Sequence, residues 1–415
     1  MLLRRRFSSD RRATMRTMSS VAAHGGAGGR APVPPAPFGA PAPARRVRRV
    51  LATAALLVLL PAGVSYVKTL LEPSNSSVGI RSVEWLRDHG AAGIVAKVES
   101  IYYSLNAPAK GGPALRALPR VGVSADGAPG TAKGGSSAAL VDRPPRIAPL
   151  TRPALAGEGA WSGTLERESR NDPPLLVTTF RSDPAEYPRL IAGVAWINTS
   201  NTVVSLVPGR LEPSVELPER GPMEVPAGKR GKLLATFNSG FKLTDSRGGW
   251  ALHGHTYAPM REGQATFVRY ADGRYDVTTW HGGPNVGPNV VFARQNLPLI
   301  VSEGHSNPAL SNTAEWGATV GNAVRVWRSG IGIDKHGNLL YAAANDQTVG
   351  SLAHVMIHAG AVRAMELDIN SYWISFNTYA APGAMRPAKL LAETERPADR
   401  YLTPDDRDFF AVYKR

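Results

Sequence analysis

The clearest alternation of apolar and polar positions lies at residues 361–370, AVRAMELDIN. In an extended chain Met365, Leu367 and Ile369 fall on one side and Glu366, Asp368 and Asn370 on the other. The pattern predicts a strand with its back to a core and its front to a cleft. Just upstream, RVWRSGIGIDKHGNLLYAA predicts a hairpin that turns at Asp334–Asn338. TVGSLAHVMIHAGA has helical spacing, with Thr348 or Ser351 as cap, Leu352, Val355, Met356 and Ala359 inward, and Gly360 as terminator. FVRYADGRYDVTTW predicts a second hairpin around Ala271–Arg274. VTTFRSD, LIAGVAWINTS, TVVSLVPG and Leu233–Phe237 are short runs of strand-forming residues bounded by turns. These elements predict an α+β domain, a mixed, largely antiparallel sheet with flanking helices.

The N-terminal third has other periods. Val50 to Val67 carries no charge and ends at Lys68, and eighteen residues is the lower limit for crossing about 30 Å of hydrocarbon. Residues 45–71 are therefore expected to form a transmembrane anchor. Residues 72–105 are expected to form short juxtamembrane helices, apolar at Val83, Leu86, Ile94, Val95, Val98 and Ile101 and broken at Gly90. Residues 1–44, rich in Arg, Ala, Pro, Gly and Ser, have too little apolar surface to offset ordering entropy and read as a disordered tail. Residues 106–154 read as a Pro/Gly/Ala-rich linker, residues 155–385 as the folded domain, and 386–415 as a peripheral C-terminal extension. The charges at Asp405–Asp408 are expected on its surface.

Charge changes the picture only in its placement. The net charge of the 415-residue chain is +15, and residues 1–49 hold eleven arginines and one acid. Ten of the fifteen charges thus sit in the tail, so the folded part does not read as a nucleic-acid binder. Arg45, Arg46, Arg48 and Arg49 precede the apolar run, which predicts the N-terminus in the cytoplasm and the C-terminal domain outside the cell membrane. The chain has no cysteine, which excludes disulfides, thiolate metal sites and a thiol nucleophile.

The candidate chemistry centres on Glu366 and Asp368. Arg328 adjoins Gly330 and Gly332, whose bare strand face would admit a backbone or a ligand, and a guanidinium matches phosphate bidentately. Its alternative is a salt bridge, and Glu366 is either a second acid/base or the partner of Arg328. Asn238 closes the strand before Ser239-Gly240 and reads either as turn chemistry or as a ligand-facing amide. His253 and His255 share a face if extended. Glu303 ends the apolar run PLIV, and Asn370 follows Asp368 on the same face. Asp334 and His336 read as turn residues. His354 and His358 have zinc-protease spacing but lack the glutamate, Val355 standing in its place. No metal or cofactor is expected.

In order, TFNSGF, RSGIGIDKHGNL and a helix leading to AMELDIN resemble the motifs of the phosphodiester glycosidase family over residues 155–385. The Ala/Arg/Pro/Gly-rich composition agrees with a membrane-anchored chain of a high-GC Gram-positive bacterium. By position the family's motif residues match Asn238, Gly240, Arg328, Gly332 and Asp368. The chain departs from the family at Ser239, at Lys242 and at Ile369-Asn370-Ser371, where glycines are usual; side chains there narrow the loop. The resemblance implies cleavage of a sugar–phosphate diester through an oxocarbenium-like transition state. Asp368 would attack or stabilise the anomeric centre, Arg328 with His253 or His255 would hold the phosphate, and Asn238 would hold sugar or phosphate oxygens. Glu366 would serve as a second acid or base. Gly240, Gly332, Asn370 and Glu303 would line the substrate, a glycosyl phosphodiester or anionic glycan. The rival readings are a catalytically impaired binding module for anionic glycans and a metal hydrolase using His253 and His255.

Overall fold

The structure, a computed structural model, describes residues 42–119, 121, 143–165, 172–311, 316 and 325–415. The expected disordered tail up to residue 41, and residues 122–142 of the expected linker, lie outside the described residues. The chain forms two compact units, residues 1–63 and 64–415. The described part of the first is the start of helix α1 (Ala42–Leu71). Arg45–Leu71, 27 residues, is long and apolar enough to cross a membrane, and none of it is buried in protein.

In the second unit the last turns of α1 lead to α2 (Val78–Leu86) and α3 (Ala92–Leu105). Between them Gly90 adopts φ +88°, a conformation that glycine reaches without steric cost. Next come β1 (Ser162–Gly163), β2 (Leu175–Arg181), β3 (Ile191–Ile197), β4 (Thr202–Val207) and β5 (Leu233–Asn238). A one-turn helix, α4 (Leu243–Ser246), precedes β6 (Trp250–Leu252), β7 (His255–Ala258), β8 (Ala265–Tyr270), β9 (Tyr275–Thr279) and β10 (Val290–Gln295). The chain continues through β11 (Leu299–Ser302), β12 (His305–Ser306), β13 (Val326–Asp334), β14 (Leu339–Gln347), α5 (Val349–His358) and β15 (Ala361–Glu366). It ends with β16 (Phe376–Ala381), β17 (Met385–Lys389) and β18 (Phe409–Lys414).

The strands form three antiparallel sheets. An eight-stranded sheet runs β1-β2-β3-β14-β13-β15-β11-β12, and two five-stranded sheets run β7-β6-β10-β8-β9 and β17-β16-β5-β18-β4. All three turn one face to a shared core that holds Leu175, Ile331 and Met365 from the first, Trp250, Phe267 and Phe292 from the second, and Phe237, Phe376 and Phe410 from the third. The other face of the large sheet is closed by α5, through Leu352, Val355 and Met356. Thr348 and Ser351 cap that helix reciprocally, each side chain accepting from the other's backbone N–H.

The C-terminal extension is not peripheral. Its strand β18 lies between β5 and β4, pairing with both, and Phe410 and Val412 enter the main core. The aromatic alternation FFAVY, buried on both faces, outweighs the Pro-rich stretch before it. The charges at Asp405–Asp408, expected at the surface, are all buried, because the chain that feeds a central strand must itself pass inside.

Candidate active site

The structure separates the residues of the expected cluster into two groups. Arg328, on β13, is 1% exposed, and its Nη1 donates to Glu366 Oε1 at 2.5 Å. Its Nε donates to the Gln347 carbonyl and its Nη1 also to that of Trp316. Two of its three nitrogens are thus engaged by protein, and the expected phosphate clamp is one half of a buried ion pair. Burial raises the pKa of Glu366, and Arg328 opposes the rise. The glycines beside it serve packing. A Cβ on Gly332 would stand 2.7 Å from the Arg363 carbonyl oxygen and 2.8 Å from the Met356 methyl of α5, so helix and neighbouring strand fill the face expected to be bare.

Asp368 belongs to the other group. It follows β15 directly, is 5% exposed, and its Oδ2 accepts from Arg407 Nη2 at 2.9 Å. Its Oδ1 accepts from the Asn370 N–H, and Asn370 Oδ1 accepts in turn from the Tyr372 N–H. Ile369 and Asn370, standing where the family has glycines, thus form a hydrogen-bonded turn that orients the carboxylate. Burial raises the pKa of Asp368, and Arg407 opposes the rise. Arg407 also donates to the Gly240 carbonyl at 2.9 Å and lies 5.2 Å over the Trp373 ring. A Cβ on Gly240 would approach the Asn296 side chain to 3.1 Å, which accounts for a small residue at this close turn.

Asn238 is a strut. Its Oδ1 accepts from Tyr341 Oη and from the Ser375 N–H, and its Nδ2 donates to the Ser239 carbonyl and to Ser329 Oγ. Ser329 Oγ donates to the Asp368 carbonyl at 2.8 Å. Asn238 therefore reaches Asp368 through one serine and fixes its backbone while offering no free amide atom. Beside it, Asp408 Oδ2 accepts from Ser239 Oγ, Trp250 Nε1 and Arg294 Nε. This network locks the start of β18 to the turn after β5.

His253 and His255 do not share a strand face. His253, at φ +52°, and Gly254, at φ +75°, form the two-residue turn between β6 and β7, and His255 opens β7 with its ring 4.6 Å from that of Tyr257. Both are exposed. Glu303, at φ +51°, and Gly304 form the same kind of turn between β11 and β12, and Glu303 is exposed as well. A two-residue type I′ turn requires positive φ at both central positions, which overrode the extended reading of HGH. Among the described residues no group of three histidines, aspartates or glutamates could hold a metal ion.

A cavity of about 340 Å³, lined by several charged side chains, opens beside Arg407 and Trp373. Arg81, Arg210, Lys242 and Arg407 bring positive charge to its wall, and Glu72, Glu84, Asp88, Glu212 and Asp406 bring negative charge. Lys242 forms an ion pair with Glu84 of α2, whose pKa is lowered: burial raises it, but Lys242, Arg407 and Arg87 together outweigh burial. Burial raises the pKa of Glu212. Asp406 accepts from Ser74 and Ser76, each at 2.6 Å, and from Arg210, so the segment after α1 is fastened to the cavity rim. Sequence reasoning missed Arg407, Glu212 and Glu84. The one signal for Arg407 was position: DDRD runs straight into the buried-type strand FFAVY.

No protein-family model matches the chain, and no curated protein matches it in sequence. Two solved structures share features of the fold. One is the catalytic domain of zebrafish N-acetylglucosamine-1-phosphodiester alpha-N-acetylglucosaminidase, auto-inhibited by its pro-peptide, at 15% identity and TM-score 0.38, over 61% of this chain and 88% of that one. The other is a hypothetical protein from Synechocystis, at 10% identity and TM-score 0.34, over 55% of this chain and 59% of that one. Both likenesses are distant, and neither decides what this chain does.

Proposed function

We propose that the chain is a hydrolase of glycosyl phosphodiester bonds, acting on sugar-1-phosphate diesters of cell-envelope or exopolysaccharide material. Residues 45–71 hold it in the membrane as a single-pass anchor. The observation that carries this reading is the buried Asp368–Arg407 pair, whose arginine lines a cavity that also presents Lys242 and Arg210. Asp368 supplies the carboxylate that meets positive charge at the anomeric carbon. Arg407 and Lys242 bind the phosphate; Lys242 already holds an anion, the Glu84 carboxylate. Phosphate is a better leaving group than a sugar hydroxyl, and Glu212, whose pKa burial raises, supplies what acid the reaction needs. Asn238, through Ser329, positions the Asp368 backbone. The arginines ahead of the apolar run support an orientation with the N-terminus in the cytoplasm and the domain outside.

The test uses the full-length protein in detergent with an α-linked N-acetylglucosamine phosphodiester, beside Asp368→Asn. The wild type should release the sugar, and Asp368→Asn, assayed where both proteins are folded, should be slower by about a thousandfold or more. Equal turnover by both proteins removes Asp368 from the chemistry. Binding of anionic glycans without turnover assigns the cavity to a binding module instead.

A further inference from the structure

Helix α3 presents a bare apolar face. Ile94, Val98, Ile101, Tyr102 and Leu105 are between 53% and 81% exposed. At 3.6 residues per turn these five fall within an arc of about 100°, the width of the apolar stripe of a helix that packs on something. The rest of the helix is already used: Val95, at the edge of the arc, is buried, and on the opposite side Tyr103 packs on Phe241, Val326 and Ile369. A third sector, with Lys97, Ser100 and Ser104, is polar and flanks the bare arc. The helix is thus docked by its inner face while its outer face faces away from the domain.

The end of the apolar run in α1 indicates what covers that face. Lys68 closes the run. The residues around it are bound to the α2–α3 hairpin: Ser65 accepts from Trp85 Nε1 at 3.1 Å, Tyr66 Oη and Ser82 Oγ share a hydrogen bond at 2.7 Å, and Arg81 donates to the carbonyls of Thr69 and Glu72. Arg87 of the connecting turn pairs with Glu84 of α2 and Glu99 of α3. The hairpin is therefore fastened to the chain at the depth where a spanning helix leaves the hydrocarbon. We infer that the outer face of α3 lies in the headgroup–acyl boundary of the membrane that α1 crosses, with Lys97 directed to the headgroups. The inference rests on the anchor reading. An apolar face in that boundary sinks about 5–10 Å below the headgroups. It would hold the domain at a fixed height above the lipid, where a tether alone would leave it free to swing.

The chain has no cysteine, so single cysteines can be placed and labelled without background. The full-length protein carrying Val98→Cys, Ile101→Cys or, in the β13–β14 turn, Lys335→Cys is labelled with an environment-sensitive fluorophore and reconstituted into phosphatidylcholine–phosphatidylglycerol vesicles. Labels at 98 and 101 should emit further to the blue than the label at 335 and be quenched at least about twofold by lipids spin-labelled near the headgroup, the shallow depth expected of an interfacial helix. The label at 335 should be quenched only by aqueous iodide. If the protein sits in the vesicles but labels 98 and 101 behave like 335, the inference fails while the anchor stands. If they are shielded from iodide, untouched by the lipid quenchers, and disulfide-linked between copies on oxidation, a second copy of the chain covers α3 and the inference also fails. If alkaline carbonate strips the protein from the vesicles, the anchor fails and the inference with it.

Discussion

Glu366 and Asp368 are separated by one residue, and each is held by an arginine from elsewhere in the chain, yet their surroundings differ. Arg328 comes from the adjacent strand and seals Glu366 inside the large sheet, at 1% and 0% exposure. Arg407 comes from the far end of the chain, meets Asp368 and lines a cavity. The first pair has carbonyls around it, the second a cavity and an aromatic ring. Their difference shows that residue type and spacing in a sequence nominate a charged cluster, while the origin of each partner decides whether that cluster is sealed inside a sheet or set beside a cavity.

The largest effect that tests this contrast is on stability. Arg328→Met leaves the Glu366 carboxylate buried without its cation and should cost about 3–5 kcal/mol in chemical denaturation. Adding Glu366→Leu should recover about half of that, the remainder reflecting the Gln347 and Trp316 carbonyls that lose their donor. The sign of the pH dependence follows from the direction of the shift. Removing Arg328 raises further a pKa already raised by burial, so stability is present below the ordinary glutamate range and is lost as pH rises through the higher folded value. The deficit of Arg328→Met should therefore shrink on acidification, and that of the double variant should not. A deficit independent of pH would mean that Arg328 acts through packing alone.

Much of the frame was legible before the structure. The apolar run of α1, the break at Gly90, the hairpins around Ala271–Arg274 and Asp334–Asn338 and the capped helix α5 each follow from short-range rules of period, turn and cap. Asp368 was legible because alternation placed it opposite Leu367 and Ile369. Its partner was not, since Arg407 lies 39 residues on and pairs through β18, a strand whose place between β5 and β4 no local pattern encodes. The same limit applies to Arg328. Either carboxylate was within reach of a strand neighbour, and only the register of β13 with β15, which sets Gly330 opposite Glu366, gives it that one.

A smaller effect tests the open pair. Arg407 holds the pKa of Asp368 below the value that burial alone would set. Arg407→Gln removes that cation and should move the acid limb of kcat/KM upward by about one pH unit or more, so that activity lost at neutral pH returns in part in alkali. Arg328→Gln, read only where the protein remains folded, should leave that limb within a few tenths of a unit. If both substitutions shift it equally, the two pairs are electrostatically one site.

The smallest effects concern the exposed turns that the sequence offered as ligand contacts. His253 and Glu303 each stand first in a two-residue turn at positive φ, followed by glycine. Asparagine is the residue such turns prefer, so His253→Asn and Glu303→Asn should change stability by no more than about 0.5 kcal/mol, with any change toward greater stability. Turnover of the phosphodiester should stay within about twofold, since no step assigned to Asp368, Arg407 or Lys242 passes through either turn. A tenfold rise in KM for His253→Asn would bring the β6–β7 hairpin to the substrate and extend the site beyond the cavity beside Trp373. The same rise for Glu303→Asn would do so for the β11–β12 hairpin, at the edge of the sheet that carries the sealed pair.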